Sequence, residues 1–216
     1  MHRAANGHGN ETPPPSERIG EHSYMAEVVR TFIAVEIPAE IKEHAGRLTR
    51  RLDVTPAKVK WVAPEAMHWT LKFLGDVDIV ETHPICEAVS RAVAPLAPFD
   101  VEACGAGAFP DPARPRTIWI GMGRGAEQMV DLHARIEAEL SPLGYRGDGR
   151  RFRPHLTIGR VRASRQGIDE LGELIRENAE FEAGVSTVFD VAVVSSTLTR
   201  GGPIYEPLGH AELKGR

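Results

Sequence analysis

Two short stretches of the chain pair a histidine with a threonine at the spacing of one strand face. They read His68-Trp69-Thr70-Leu71 and His155-Leu156-Thr157-Ile158: histidine, apolar, threonine, apolar each time. On a β-strand, residues i and i+2 project to the same side. His68 therefore projects with Thr70, and His155 with Thr157. Trp69, Leu71, Leu156 and Ile158 turn the other way, into a core. Two such strands facing each other would line a cleft with two imidazoles and two hydroxyls, a set suited to phosphate ester chemistry. One imidazole can take a proton from water while the other gives one to a leaving oxygen. The threonine hydroxyls can donate to non-bridging phosphoryl oxygens. No metal is required. A lone histidine in an apolar strand is most often a core residue bonded to a backbone carbonyl. It is the second copy, 87 residues on (155 − 68) in a chain of 216, that makes a duplicated site the better reading.

The neighbours of these motifs bear on a phosphate. Arg146, Arg150, Arg151, Arg153, Arg160, Arg162 and Arg165 cluster around the second copy in a chain whose net charge is -4. That is a local positive field able to steer a phosphate-bearing ligand, although a single arginine in such a loop is ordinarily just solvated. Lys72 continues the row 68, 70, 72, where it could neutralise phosphate or line the rim as an amphipathic side chain. Arg160, five residues past His155, falls on the opposite face of a regular strand and reaches a phosphate only near a strand end or through a bulge. Phe32, Trp61 and Phe152 could stack on a base, with core packing the more ordinary role. Gly121-Met122-Gly123-Arg124-Gly125 lacks dinucleotide-loop spacing and reads as a turn, so no cofactor is expected. The remaining histidines show no metal-ligand spacing with one another or with a cysteine.

Strands must carry these groups. Residues 30–37, 59–62, 68–74, 99–105, 117–120, 154–160, 185–198 and 203–208 read as strand. Helical spacing appears after Pro38 (Ile41, Ala45, Leu48, Leu52), over 79–94, over 126–143 (Met129, Leu132, Ile136, Leu140) and over 168–179. Many successive strands lack an intervening helix, which favours an α+β fold with antiparallel pairing over a doubly wound parallel sheet.

Hydrophobic residues at 42% allow a core for one large domain or two small lobes, and the net charge of -4 argues against a coat for nonspecific DNA binding. Cys86 and Cys104 show neither disulfide-framework nor zinc spacing, and no apolar run approaches the ~18 residues of a membrane span. The expected setting is a reducing cytoplasm. Residues 1–25 are polar, with three successive prolines, and read as a disordered tail; Met25 is a candidate natural start. Residues 26–216 are expected to form a single bilobal domain working as a monomer.

Four blocks, in order, carry a family resemblance: R-T-F-I-A-V-E-I-P from Arg30, K-W-V-A-P-E-A-M-H-W-T-L-K-F-L-G from Lys60, G-A-F-P-D-P-A-R-P-R-T-I-W-I-G from Gly107, and F-R-P-H-L-T-I-G-R-V-R from Phe152. The chain resembles the two-histidine (2H) phosphoesterases and, among them, the bacterial and archaeal RNA 2',3'-cyclic phosphodiesterases, once named 2'-5' RNA ligases. Trp69 stands where the family usually carries a smaller apolar residue. The resemblance implies duplicated antiparallel lobes about a pseudo-two-fold axis, with an H-x-T strand from each in a central cleft. It implies opening of a terminal 2',3'-cyclic phosphate to a 2'-phosphate without metal. His68 and His155 would be the catalytic pair, Thr70, Thr157 and Arg160 the phosphate-binding groups, and Lys72, Phe32 and Arg153 candidate substrate contacts. For that product the 3' oxygen leaves; His68 is assigned as acid toward it and His155 as base on water, with the reverse order open. Partners would be RNA 3' ends or small cyclic-phosphate nucleotides. The rival readings are a noncatalytic RNA-end binder, and the same chemistry on a cyclic nucleotide or an ADP-ribose cyclic phosphate.

Overall fold

The computed structural model describes residues 27–147, 149, 151–162 and 166–216. The expected tail, Met25, Arg150 and Arg165 lie outside the described residues. Along the described chain run β1 (Val28–Glu36), α1 (Ala39–Leu52), β2 (Val59–Trp61), β3 (His68–Asp78), α2 (Thr82–Val93), β4 (Phe99–Phe109), β5 (Thr117–Met122), α3 (Ala126–Leu140), β6 (Leu156–Val161), α4 (Ile168–Glu177), β7 (Glu182–Val188), β8 (Asp190–Thr199) and β9 (Gly202–Glu212). None of these helices is long and apolar enough to cross a membrane.

The helices follow their sequence signals. Pro38 caps α1, where its missing N–H costs nothing, and Ile41, Ala45, Leu48 and Leu52 form the buried stripe. Met129, Leu132, Ile136 and Leu140 do the same for α3, which passes through a short 3-10 turn and stops at Gly144 with φ 92°, a conformation that favours glycine. Gly121 and Met122 end β5, and the expected turn is confined to the residues after them, with Gly125 at φ 84° ahead of α3. The strand expected over 185–198 is two strands, β7 and β8, broken at Phe189.

All strand pairs are antiparallel, and the order is β7-β4-β5-β6-β3-β1-β8-β9, with short β2 added to β6. One residue, Phe189, joins β7 to β8, yet five strands separate them in the sheet. Two residue steps span about 7 Å, whereas six flat strand spacings would be roughly 29 Å. The sheet therefore curls back on itself into two halves, β7-β4-β5-β6 and β3-β1-β8-β9. Helices α1 and α4 cover the first half; α2 lies on β8 and β9 with α3 beside it. Because α1 follows β1 yet packs on the opposite half, the halves interlock. The helix-facing side holds one continuous apolar core; a smaller cluster of Phe32, Ala34, Ala192 and Val194, with Tyr205 against it, lies on the other face.

Candidate active site

The two halves meet at one residue pair between β3 and β6: Trp69 opposite Leu156. Each is the middle residue of an H-x-T motif, and each is buried in the core, Trp69 at 1% exposure. The same antiparallel register, extended by one step, would set His68 against Thr157 and His155, the residue just ahead of β6, against Thr70. Opposed residues of such a pair share a face, with Cβ atoms about 4.5–5.5 Å apart. Both imidazoles and both hydroxyls are half-buried, on the side of the sheet away from the buried Trp69 and Leu156.

Both rings are tethered two residues upstream. His155 Nδ1 bonds the Arg153 carbonyl at 2.7 Å, and His68 makes a hydrogen bond to the backbone of Ala66. When Nδ1–H donates to the Arg153 carbonyl, Nε2 of His155 is left for the cleft. Phe32 stacks on His68 at 4.7 Å and 21°, and Tyr205 stands edge-on to the same imidazole at 5.4 Å. Phe109 stands edge-on to His155 at 5.0 Å. Burial pushes the His68 imidazole down to about 4, the Ala66 bond partly opposing and Lys42 adding to the effect. Burial also lowers His155, against its Arg153 bond and together with the nearby positive charge of Arg160.

The sequence row 68, 70, 72 does not continue as expected. Ile33 of β1 pairs with Lys72, but the next residue, Ala34, pairs with Thr70, so Leu71 is an extra residue on β3. This bulge turns Lys72 to the side of Ile33, into the helix-covered core. Lys72 is buried there, ion-paired with Glu137 of α3 and donating to the Arg146 carbonyl at 3.3 Å. It is not on the cleft face. The second motif carries the same device. Ile118 pairs with Gly159 and Trp119 with Thr157, leaving Ile158 extra. The parity shift that removes Lys72 brings Arg160 onto the cleft face, opposite Thr117. Its charge acts on both His155 and Tyr205.

Phe32 is only 3% exposed, so it supports His68 and has no open face for a base. Arg153 has an exposed side chain and uses its carbonyl to hold His155. Trp61 donates to the Asp53 carboxylate at 2.6 Å and packs over Gly159, while Phe152 stacks on His133 at 4.1 Å; both rings are engaged in packing. Three cleft residues carried no sequence signal for a site: Tyr205, Phe109 and Phe73. Tyr205 arrives from β9 through pairings no local pattern reveals. Phe73 is the residue that the first bulge turns toward Phe32 in place of Lys72.

Comparison with known proteins fits this geometry. The LigT-like phosphoesterase family profile matches twice, at residues 35–119 and 120–205, one match per motif. An RNA 2',3'-cyclic phosphodiesterase of Methanothermobacter thermautotrophicus is 38% identical over 82% of this chain and 95% of its own. One from Aquifex aeolicus is 34% identical over 82% of this chain and 94% of its own. A crystal structure from Thermus thermophilus superposes with TM-score 0.71 at 26% identity, over 87% of this chain and 99% of that one. Escherichia coli LigT, crystallised with 3'-AMP, gives 0.69 over the same shares; at 24% identity it speaks for the fold.

Proposed function

The chain belongs to the LigT-like phosphoesterase family, and on that premise we propose that it hydrolyses the terminal 2',3'-cyclic phosphate of RNA to a 2'-phosphate, without metal. The observation that supports this reading is the Trp69–Leu156 pair, which joins the two H-x-T segments with their histidines and threonines half-buried on the side away from the core. Water attacks phosphorus; one imidazole takes its proton as the O–P bond forms. The P–O3' bond breaks, and the other imidazolium gives its proton to O3', leaving a 3'-hydroxyl and a 2'-phosphate monoester. Thr70 and Thr157 donate to the non-bridging oxygens, and Arg160 meets the charge that gathers on them.

The tethers hold each imidazole in place for this exchange. Burial favours the neutral form of both rings, so the anionic phosphate itself must favour the imidazolium that serves as acid. We assign that role to His68 and the base to His155.

The test is to incubate the protein with an oligoribonucleotide ending in a 2',3'-cyclic phosphate, in excess EDTA, and follow phosphorus by NMR. A single 2'-phosphate product is expected. A 3'-phosphate product would refute the regiochemistry. Tight binding without turnover would replace hydrolysis with end recognition.

A further inference from the structure

Each imidazole is tethered two residues upstream, but the two tethers are held differently. Ala66 lies in a short 3-10 turn closed by backbone bonds: Ala66 N–H donates to the Ala63 carbonyl at 2.9 Å and Met67 N–H to the Pro64 carbonyl at 3.1 Å. Residues 151–155 belong to no helix or strand, and among the described residues no backbone–backbone hydrogen bond reaches Phe152 or Arg153. The Arg153 carbonyl that holds Nδ1 of His155 therefore depends on side chains for its place. Arg153 itself is exposed, and Pro154 stiffens the link to His155 by fixing its own φ. The anchor is Phe152. Half-buried against the core, it lays its ring flat on His133 of α3, centroids 4.1 Å apart and planes 1° from parallel. His133 is held in turn. Its side chain is 20% exposed, Nε2 lies 3.7 Å from Glu137 one turn on, and Glu137 is ion-paired with Lys72. Lys72 stands two residues past Thr70 on β3, so these contacts run from the strand of the first motif to the imidazole of the second.

We propose that His133 is a positioning residue for His155: its ring fixes Phe152, and Phe152 fixes the Arg153 carbonyl to which Nδ1 of the imidazole donates. The inference rests on the phosphodiesterase reading, which makes His155 a proton-transfer group. With the carbonyl in place, Nδ1 carries the hydrogen and Nε2 is bare toward the cleft. With the carbonyl displaced, the ring can turn or exchange its tautomer, and an Nε2 that already carries a hydrogen cannot accept one from water. His133 touches no substrate, so its removal acts on the chemical step and leaves binding alone.

The experiment compares wild type, His133→Ala, His133→Phe and Phe152→Leu in turnover of adenosine 2',3'-cyclic phosphate and in ¹⁵N NMR of the His155 ring without substrate. His133→Ala should lower kcat roughly tenfold to a hundredfold, the scale of a misplaced catalytic group, with KM unchanged. Its neutral His155 should admit the Nε2–H tautomer, where wild type shows Nδ1–H alone. His133→Phe keeps a flat ring under Phe152 and should restore both. Phe152→Leu fills the space without the stack and should repeat the His133→Ala losses, which also covers a His133→Ala that fails to fold. The double variant should be no slower than the worse single. An unchanged kcat or an undisturbed tautomer in both single variants overturns the proposal, as does a loss that His133→Phe does not repair. If wild type turned over no cyclic phosphate, the phosphodiesterase reading would fall; the tautomer measurement, made without substrate, would still decide whether His133 positions His155.

Discussion

At the scale of single residues, the two histidines are alike in tether and unlike in surroundings. Two aromatic rings flank His68, whereas one ring and the charge of Arg160 act on His155. Both imidazoles lie below the ordinary value of 6.5, His68 at about 4. Turnover needs one neutral and one protonated ring, titrating as a coupled pair. Above the higher of the two lowered values the acid form disappears; below the lower one the base form does. Because kcat/KM reports the free enzyme, its optimum is expected on the acid side of 6.5. The bound phosphate raises the pair, so the kcat optimum should lie at higher pH. Parallel pH profiles check both, and a kcat/KM optimum on the alkaline side of 6.5 would contradict the burial argument. Replacing either His68 or His155 by alanine should cost about 10²–10⁴ in rate. A substrate with sulfur at the 3' bridge then tells the roles apart, since a thiolate leaves without a proton. His68→Ala should be nearly restored on it and His155→Ala should not; rescue of His155→Ala instead would invert the assignment.

At the scale of elements, one extra residue per motif strand decides which basic group serves the cleft. Bulges are the ordinary means of re-aiming a side chain next to a site. The Lys72 that the first bulge turns inward joins β3 to Glu137 on α3 and to the Arg146 carbonyl of the arginine-bearing loop. The Lys72 side chain is 7% exposed and that of Glu137 22%, with His133 also 3.7 Å from the carboxylate. Removing one partner of a fully buried pair costs about 3–5 kcal/mol. With Glu137 partly solvated, Lys72→Met should cost roughly 2–3 kcal/mol in urea denaturation. The double variant Lys72→Met/Glu137→Leu should lose less than the sum of the singles. A neutral Lys72→Met would show that the pair does not hold these elements together.

At the scale of the whole molecule, a chain of net charge -4 exposes Arg151, Arg153 and Arg160 around its second motif. A long anionic strand should feel that field more than a mononucleotide does. KM for a cyclic-phosphate oligoribonucleotide is expected to rise with salt more steeply than KM for a 2',3'-cyclic mononucleotide. Arg151→Ala should reduce the slope of log KM against log salt for the oligoribonucleotide by roughly 0.7, the share of one single-strand phosphate contact, and leave the mononucleotide's unchanged. Identical salt dependence for the two substrates would leave the cluster without a role in binding RNA. The same scale explains how a distant residue enters the cleft: the sheet curls, β9 pairs with β8, and Tyr205 arrives at His68, 137 positions away (205 − 68).

The alternation within each H-x-T motif put histidine and threonine on one strand face, and the run of strands without intervening helices pointed to the antiparallel α+β class, because strand periodicity is a local property of the chain. Helix stripes such as Ile41, Ala45, Leu48 and Leu52 were legible for the same reason. Whether Lys72 or Arg160 faces the cleft was not legible. That depends on Leu71 and Ile158 being extra residues, and a bulge exists only relative to the strand across from it. The burial of Phe32, the approach of Tyr205 and the openness of Phe73 likewise follow from which strands become neighbours. Local pattern determined which side chains share a face, and tertiary pairing alone decided where that face is interrupted and what closes over it.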